Sequence, residues 1–156
     1  MAVNYSATGP TTVNTSLKDN RMLCVRDAIN SKVPAAWTGA GSTATLIVGT
    51  ASLATTAGAG AVAGELCRFT LPNPVGTVAN AAGVVTLTFA GTPINNTGTA
   101  VAGTAALAQI RDTAGNVIVS GLTVGVAGSG SDVIIDSVTI AAGQVVTFVS
   151  GQITHS

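Results

Sequence analysis

Apolar positions along this chain follow two rhythms. Between residues 15 and 31, Leu17, Arg21, Cys24, Val25, Ala28 and Ile29 recur at the 3.6-residue spacing of a helix, and all but Arg21 are apolar. Ser16 stands where an N-cap belongs, with the acid Asp19 three residues later, and Pro34 lies just beyond the pattern. The spacing predicts one helix over 15–31, its apolar stripe facing inward.

From residue 43 onward the rhythm shortens. TATLIVG at 43–49 is a β-branched apolar run. ELCRFTL at 65–71 alternates, with Cys67, Phe69 and Leu71 on one face and Arg68 and Thr70 on the other. GVVTLTFA at 83–90 alternates again through Val85, Leu87 and Phe89. Residues 106–110 and 117–122 flank RDTAGN at 111–116, in which Asp112 can bond the backbone ahead of it and Gly115 can adopt positive φ. That pattern predicts a hairpin. Residues 133–140, 144–149 and 152–155 read as further strands, with AAG at 141–143 as a turn. Residues 50–64, almost all Ala, Gly and Thr, read as a mobile loop. The fold class expected is mainly β: an antiparallel β-sandwich or barrel of about eight strands with one N-terminal α-helix. The expected organisation is an extended N-terminal arm over 1–14 and a single β domain over 15–156.

Composition sharpens this picture. Hydrophobic residues make up 47% of the chain but aromatics only 3%, and charged residues 8%, against about a quarter in an ordinary domain. The core is therefore expected to be thin, and the surface weakly solvated and prone to being covered by partners. Trp37, the single tryptophan, reads as a loop anchor to the core.

Net charge is zero, with six basic and six acidic residues. No basic excess exists to neutralise phosphates, so no nucleic-acid partner is expected. No run reaches the ~18 apolar residues of a membrane helix, and residues 1–10 lack the basic start and apolar run of a signal peptide. The expectation is synthesis in a cytoplasm with no membrane partner. Lys18, Arg21, Arg26 and Lys32 cluster in and just beyond the helical segment. Lys18, Arg21 and Arg26 read either as a solvated outer face or as the contact with an acidic surface on a partner.

Little in the chain points to catalysis. His155, the single histidine, is the penultimate residue and is expected on a frayed terminus. Asp112, Asp132 and Asp136 sit in or beside turns, where Asp mostly bonds backbone. Cys24 and Cys67 form no CxxC pair and are expected to be buried small hydrophobes rather than a disulfide or metal ligands. GSGSDVI at 128–134 matches half of a calcium-binding nonapeptide repeat, which needs tandem copies to hold an ion. It reads instead as a glycine loop before a strand. No catalytic residue, cofactor or metal is expected, and an enzyme is the reading least favoured.

Several segments together carry a resemblance: TSLKDNR at 15–21, GTA at 103–105, QIRDTAGN at 109–116, IDS at 135–137, IAAGQVVT at 140–147 and SGQIT at 150–154. In them the chain resembles small virion structural proteins of tailed bacteriophages, of the capsid decoration (cement) type. The resemblance spans nearly the whole length, and no site residue carries over from it. It implies a β domain repeated over a capsid exterior, made in a host bacterial cytoplasm, whose partners are the major capsid protein and copies of itself as a homotrimer or homodimer. Lys18, Arg21 and Arg26 are then the candidate capsid contacts. The alternative is a head or tail fibre or adhesion module that binds a host receptor, which the scarcity of aromatic residues for sugar stacking disfavours.

Overall fold

The computed structural model describes residues 17–30, 43–56, 60–112 and 114–155. The segment 1–14 expected as an arm, the N-cap Ser16, Trp37 and Lys32 lie outside them.

The helical segment becomes α1 (Leu17–Ile29). Its buried side differs from the stripe expected. Met22 and Ile29 enter the core, joined by the buried polar residues Asn20, Asp27 and Asn30, whereas Cys24 and Arg21 are exposed. The helix has therefore rolled away from the side read from its apolar residues. The rotation follows from polar anchoring. Asn30 Oδ1 accepts the Val75 amide at 2.8 Å in a buried bond, and Asp19 Oδ1 accepts Asn80 Nδ2 at 2.8 Å. A helix with so few large apolar side chains takes its orientation from such bonds.

Eleven strands follow: β1 (Thr45–Gly49), β2 (Glu65–Thr70), β3 (Gly76–Ala81), β4 (Val84–Phe89), β5 (Ile94–Asn95), β6 (Gly103–Thr104), β7 (Leu107–Arg111), β8 (Val117–Gly125), β9 (Val133–Ile135), β10 (Thr139–Ile140) and β11 (Thr147–His155). Eight form one path in the order β2-β1-β7-β8-β9-β11-β4-β3, β5 pairs with β11 off that path, and β10 pairs with β6 as a separate ribbon. The chain is thus mainly β with one helix, and its large sheet curls into a half-barrel, as the sandwich-or-barrel expectation requires.

The curl can be read from the three phenylalanines. Phe69 comes from β2 at one end of the path, Phe89 from β4 near the other, and Phe148 from β11. Phe148 meets both, with ring centroids 5.8 Å from Phe69 and 5.9 Å from Phe89, the second pair edge-to-face. All three are buried, with Leu46, Leu87, Ile110 and Ile135 around them. A sheet closing on itself concentrates its few aromatic rings on one axis.

Among the described residues every strand pair is antiparallel but one. β8 and β9 run parallel through Val124↔Val133 and Gly125↔Ile134. Parallel neighbours ordinarily need a long crossover. Here the loop at 126–132 reverses twice in a small space, through Gly128 and Gly130 at positive φ. Asp132 Oδ2 closes its mouth by accepting Thr123 N at 2.9 Å and Thr123 Oγ1 at 2.7 Å.

The β7–β8 hairpin forms as expected, with Gly115 at φ 86° and Asp112 bonded to Asn116. Three other expectations change. The run at 133–140 splits into β9 and β10: at Asp136 the side-chain Oδ1 accepts the Thr147 amide while its own amide donates to Thr147 O, and Ser137 Oγ donates to Thr139 O. The runs at 144–149 and 152–155 fuse into β11, which continues through Gly151 with a register shift between Phe148 and Ser150. Gly151 lies beneath the rings instead of turning the chain, and a Cβ there would come within 2.6 Å of Phe89. Finally, the stretch expected as a mobile loop is fastened over the sheet. Thr50 N meets Gly64 O and Ala54 N meets Ala63 O, each at 2.9 Å, while Gln109 Nε2 donates to Ala54 O and Arg111 Nη2 to Thr56 O. Residues 57–59 lie outside the described set.

Candidate functional site

The three cations expected to contact a partner stand on α1 in different circumstances. Lys18 Nζ donates to the Gly83 carbonyl at 3.2 Å, tying the start of the helix to the β3–β4 turn. Arg26 folds back on its neighbour: its Nε donates to Asp27 Oδ1 at 2.8 Å, and its Nη2 lies 2.8 Å from the same oxygen. Asp27 is 1% exposed, so Arg26 neutralises a buried carboxylate and is not free to meet another. Adjacent helical residues do not normally face each other, which is why sequence spacing gave no sign of this pair. Arg21 alone of the three is exposed, and none of the described residues accepts a hydrogen bond from it.

A groove of about 550 Å³ runs along the outer edge of β2, between residues 61–65 and 97–101. That edge is capped: Val101 N donates to Leu66 O and Thr97 N to Arg68 O, both at 2.8 Å. Inside the groove Arg68 and Glu65 form a bidentate pair, Nε to Oε1 at 2.6 Å and Nη2 to Oε2 at 2.8 Å. Residues three apart on a strand ordinarily face opposite ways. The register shift opposite Val48 and Gly49, where the ladder steps from Cys67 to Glu65, brings Glu65 round to Arg68. The hydrogen bond that Arg68 donates to Glu65 raises the guanidinium pKa further, against a smaller opposing effect of burial. The pair leaves the groove without net charge.

Cys67, on the groove wall, is buried, and both cysteines are free thiols. Burial first, then the charges of Glu65 and Asp136, push its thiol up to about 12. At neutral pH it is protonated and a poor nucleophile. Cys24, expected to be buried as well, is exposed on α1.

The turn acids are all engaged with backbone. Asp112 accepts Asn116 N and Asn116 Nδ2, each at 2.8 Å. Asp132 holds Thr123, and Asp136 Oδ1 accepts Thr147 N at 3.0 Å. GSGSDVI is a loop leading into β9, as expected. His155 departs from expectation. It is paired with Val85 at the end of β11 and half-buried, and its Nε2 is enclosed with no hydrogen-bond partner. Its ladder partner Val85 is a core residue, so the strand end is held in place instead of fraying.

A second, shallower groove of about 320 Å³ lies between the 128–132 loop and the β4–β11 ladder, lined by hydroxyl and amide groups of Thr88, Ser131, Ser150 and Gln152 with Asp132. Among the described residues, no group of three or more His, Cys, Asp or Glu could hold a metal ion, and no helix is long and apolar enough to cross a membrane.

Charge placement is the common thread. Among the charged side chains of the described residues, only Arg21 and Asp136 are exposed. The others are at least half-buried, many in short ties within the domain. Exposed valines, by contrast, are scattered over the surface, with Val101 57% and Val145 64% exposed. No family model, no curated protein and no solved structure matches the chain.

Proposed function

We propose that this chain is a non-enzymatic structural protein of a virion, a decoration or cement protein that binds the outer surface of a tailed-phage capsid and stabilises the head. One observation carries the reading: the domain holds most of its charges in internal ties and turns a nearly neutral surface of Thr, Ala, Ser and Val to water. Such a surface resists association poorly and gains by being covered. A shell that repeats one docking site many times suits it, since each weak contact is multiplied by lattice proximity. The sequence resemblance supports the same role. Its segments lie at the start of α1, in the β7–β8 turn and through the β10–β11 connection into β11.

Of the three cations, Arg21 is the candidate capsid contact, while Lys18 and Arg26 support α1 from within. The experiment is co-sedimentation of the purified chain with assembled shells of the major capsid protein, followed by image reconstruction. Stoichiometric density on the exterior is the expected result, with Arg21→Glu weakening attachment. A chain that stays in the supernatant at all ionic strengths overturns the proposal.

A second reading, a fibre or adhesion module, draws on the hydroxyl-lined groove beside β11. Glycan binding by the isolated chain, abolished by Gln152→Ala, is the result that would favour it.

A further inference from the structure

The groove between the 128–132 loop and the β4–β11 ladder holds polar groups that the fold itself does not use. Its floor is the outer face of the sheet. Ile134 stands opposite Ser150, and Gln152 opposite Thr88. Their neighbours Ile135, Gly151 and Leu87 are buried, so these four side chains share the outward face. Ser131 and Asp132 form the wall. Gln152 N donates to Asp132 O at 2.8 Å, which sets that wall directly beside the floor.

The wall is braced from behind. Asp132 Oδ2 accepts both Thr123 N and Thr123 Oγ1, and Asp132 N donates to Thr123 Oγ1 at 3.0 Å. Ser129 Oγ donates to Ser131 Oγ at 3.0 Å. Gly125 makes room for these hydroxyls, since a Cβ there would come 2.5 Å from Ser131 Oγ. A cleft shaped in advance costs a ligand less to enter.

The unused groups define the ligand. Among the described residues Asp132 Oδ1 accepts no bond, and the side chains of Thr88, Ser150 and Gln152 make none. Ser131 Oγ, an acceptor for Ser129, keeps its own proton to donate. The Thr88 and Ser150 hydroxyls and the Gln152 carboxamide each both donate and accept. No lysine or arginine lines the groove. An anion therefore meets a carboxylate with no cation to offset it. A cation meets a single carboxylate whose other oxygen is already taken. A ligand matches this set when its groups donate and accept together and carry no net charge, which describes a polyol. Ile134 supplies an apolar contact for its C–H surface. The volume of about 320 Å³ lies at the small end of ligand clefts and suits one sugar ring.

We infer that this groove binds the terminal residue of an uncharged glycan. The inference rests on the adhesion reading of the groove and narrows it to neutral sugars. It holds whether the chain stands in a fibre or on a shell. With no aromatic ring to stack on, a single site is weak, and repetition of the chain multiplies it.

The test is an amide NMR titration of the full chain with the methyl glycosides of glucose, galactose, mannose and N-acetylglucosamine. Glucuronate and protonated glucosamine serve as charged comparators. At least one neutral glycoside is expected to bind with a Kd on the order of 1 mM, shifting amides at 88, 131–134 and 150–152. The charged sugars bind on the order of tenfold more weakly or not at all. Gln152→Leu and Thr88→Val, both on exposed side chains, each weaken binding on the order of tenfold. They leave distant amides unshifted, and either variant suffices should the other fold poorly. No shifts with any neutral glycoside, shifts confined to other residues, equal binding of a charged sugar, or binding that survives both variants overturns the inference. A chain that binds a charged glycan, or any glycan away from this groove, keeps an adhesive role and loses this inference. A chain that binds no saccharide at all loses both.

Discussion

Asn30 Oδ1 accepts the Val75 backbone amide at 2.8 Å, a buried bond between residues 45 positions apart. It joins the end of α1 to the approach to β3. Removing the carboxamide strands a buried amide, which costs about 1–3 kcal/mol. Asn30→Ala is expected to lower unfolding stability by that amount in urea titrations. Asn30→Asp, which keeps an acceptor, is expected to lose less at neutral pH. An Asn30→Ala protein as stable as wild type would show that the helix is held by its apolar contacts alone.

The two thiols are expected to react very differently. Cys24 is exposed on α1 and should be alkylated by iodoacetamide in the native state at pH 8. Cys67 is buried, with its thiol pushed up to about 12, and should react only after unfolding. The sign follows from the raised native pKa. Below the ordinary thiol range both states are protonated and nothing is lost. As pH rises through about 9 towards 12 the unfolded chain ionises first, and stability falls. Cys67→Ser should remove that alkaline slope, and mass spectrometry of labelled protein checks the reactivity.

The strand alternation in ELCRFTL and GVVTLTFA was legible because each strand has one buried face, and those two faces now hold Phe69, Leu87 and Phe89 in the core. The β7–β8 hairpin was legible because Asp112 and Gly115 each have a local reason to turn the chain. The side of α1 that packs inward was not. Its orientation comes from Asn30 and Asp19 bonding residues far away in sequence, which no periodicity records. Strand β3, TVAN flanked by Gly76 and Ala81, lacked any large side chain to mark it. The cation cluster on α1 was visible as composition. That Arg26 is engaged by Asp27 and Arg21 is not depended on the roll of the helix.

The β3–β4 turn carries Ala82 at φ 51° followed by Gly83 at φ 83°. Both central residues at positive φ are the mark of a type I′ turn, for which Asn-Gly is the favoured pair. Alanine in that conformation is strained, whereas asparagine tolerates it. Ala82→Asn is expected to stabilise the domain by roughly 0.5–1 kcal/mol, seen as a higher midpoint in thermal melts. A lower midpoint would mean that the turn is not type I′ in solution.

Asp112 gives the β7–β8 turn a dependence on acid. Slight burial acts to raise its pKa, but hydrogen bonds from the Asn116 side chain and from the amides of Asn116, Ala114 and Gly115 outweigh this and hold the carboxyl below its ordinary value. A depressed native pKa contributes stability that is present above the unfolded pKa and disappears as pH falls through the native one. The loss is therefore expected below about pH 4. Asp112→Asn should lower stability at neutral pH and flatten the acid limb of the stability profile. An unchanged limb would show that this carboxylate does not contribute to the acid sensitivity of the fold.

Phe148 sits where the two ends of the sheet path approach each other. Its ring lies 5.8 Å from Phe69 and 5.9 Å from Phe89 between centroids, and it is fully buried. Phe148→Ala is expected to cost about 3–5 kcal/mol, a large share of the ~5–15 kcal/mol that holds an ordinary domain together. If the rings maintain the curl, Phe69→Leu and Phe89→Leu should each cost less in a Phe148→Leu background than in wild type, because each pair shares one contact. Additive losses across those double-mutant cycles would show that the backbone ladder fixes the curvature and that the rings merely fill it.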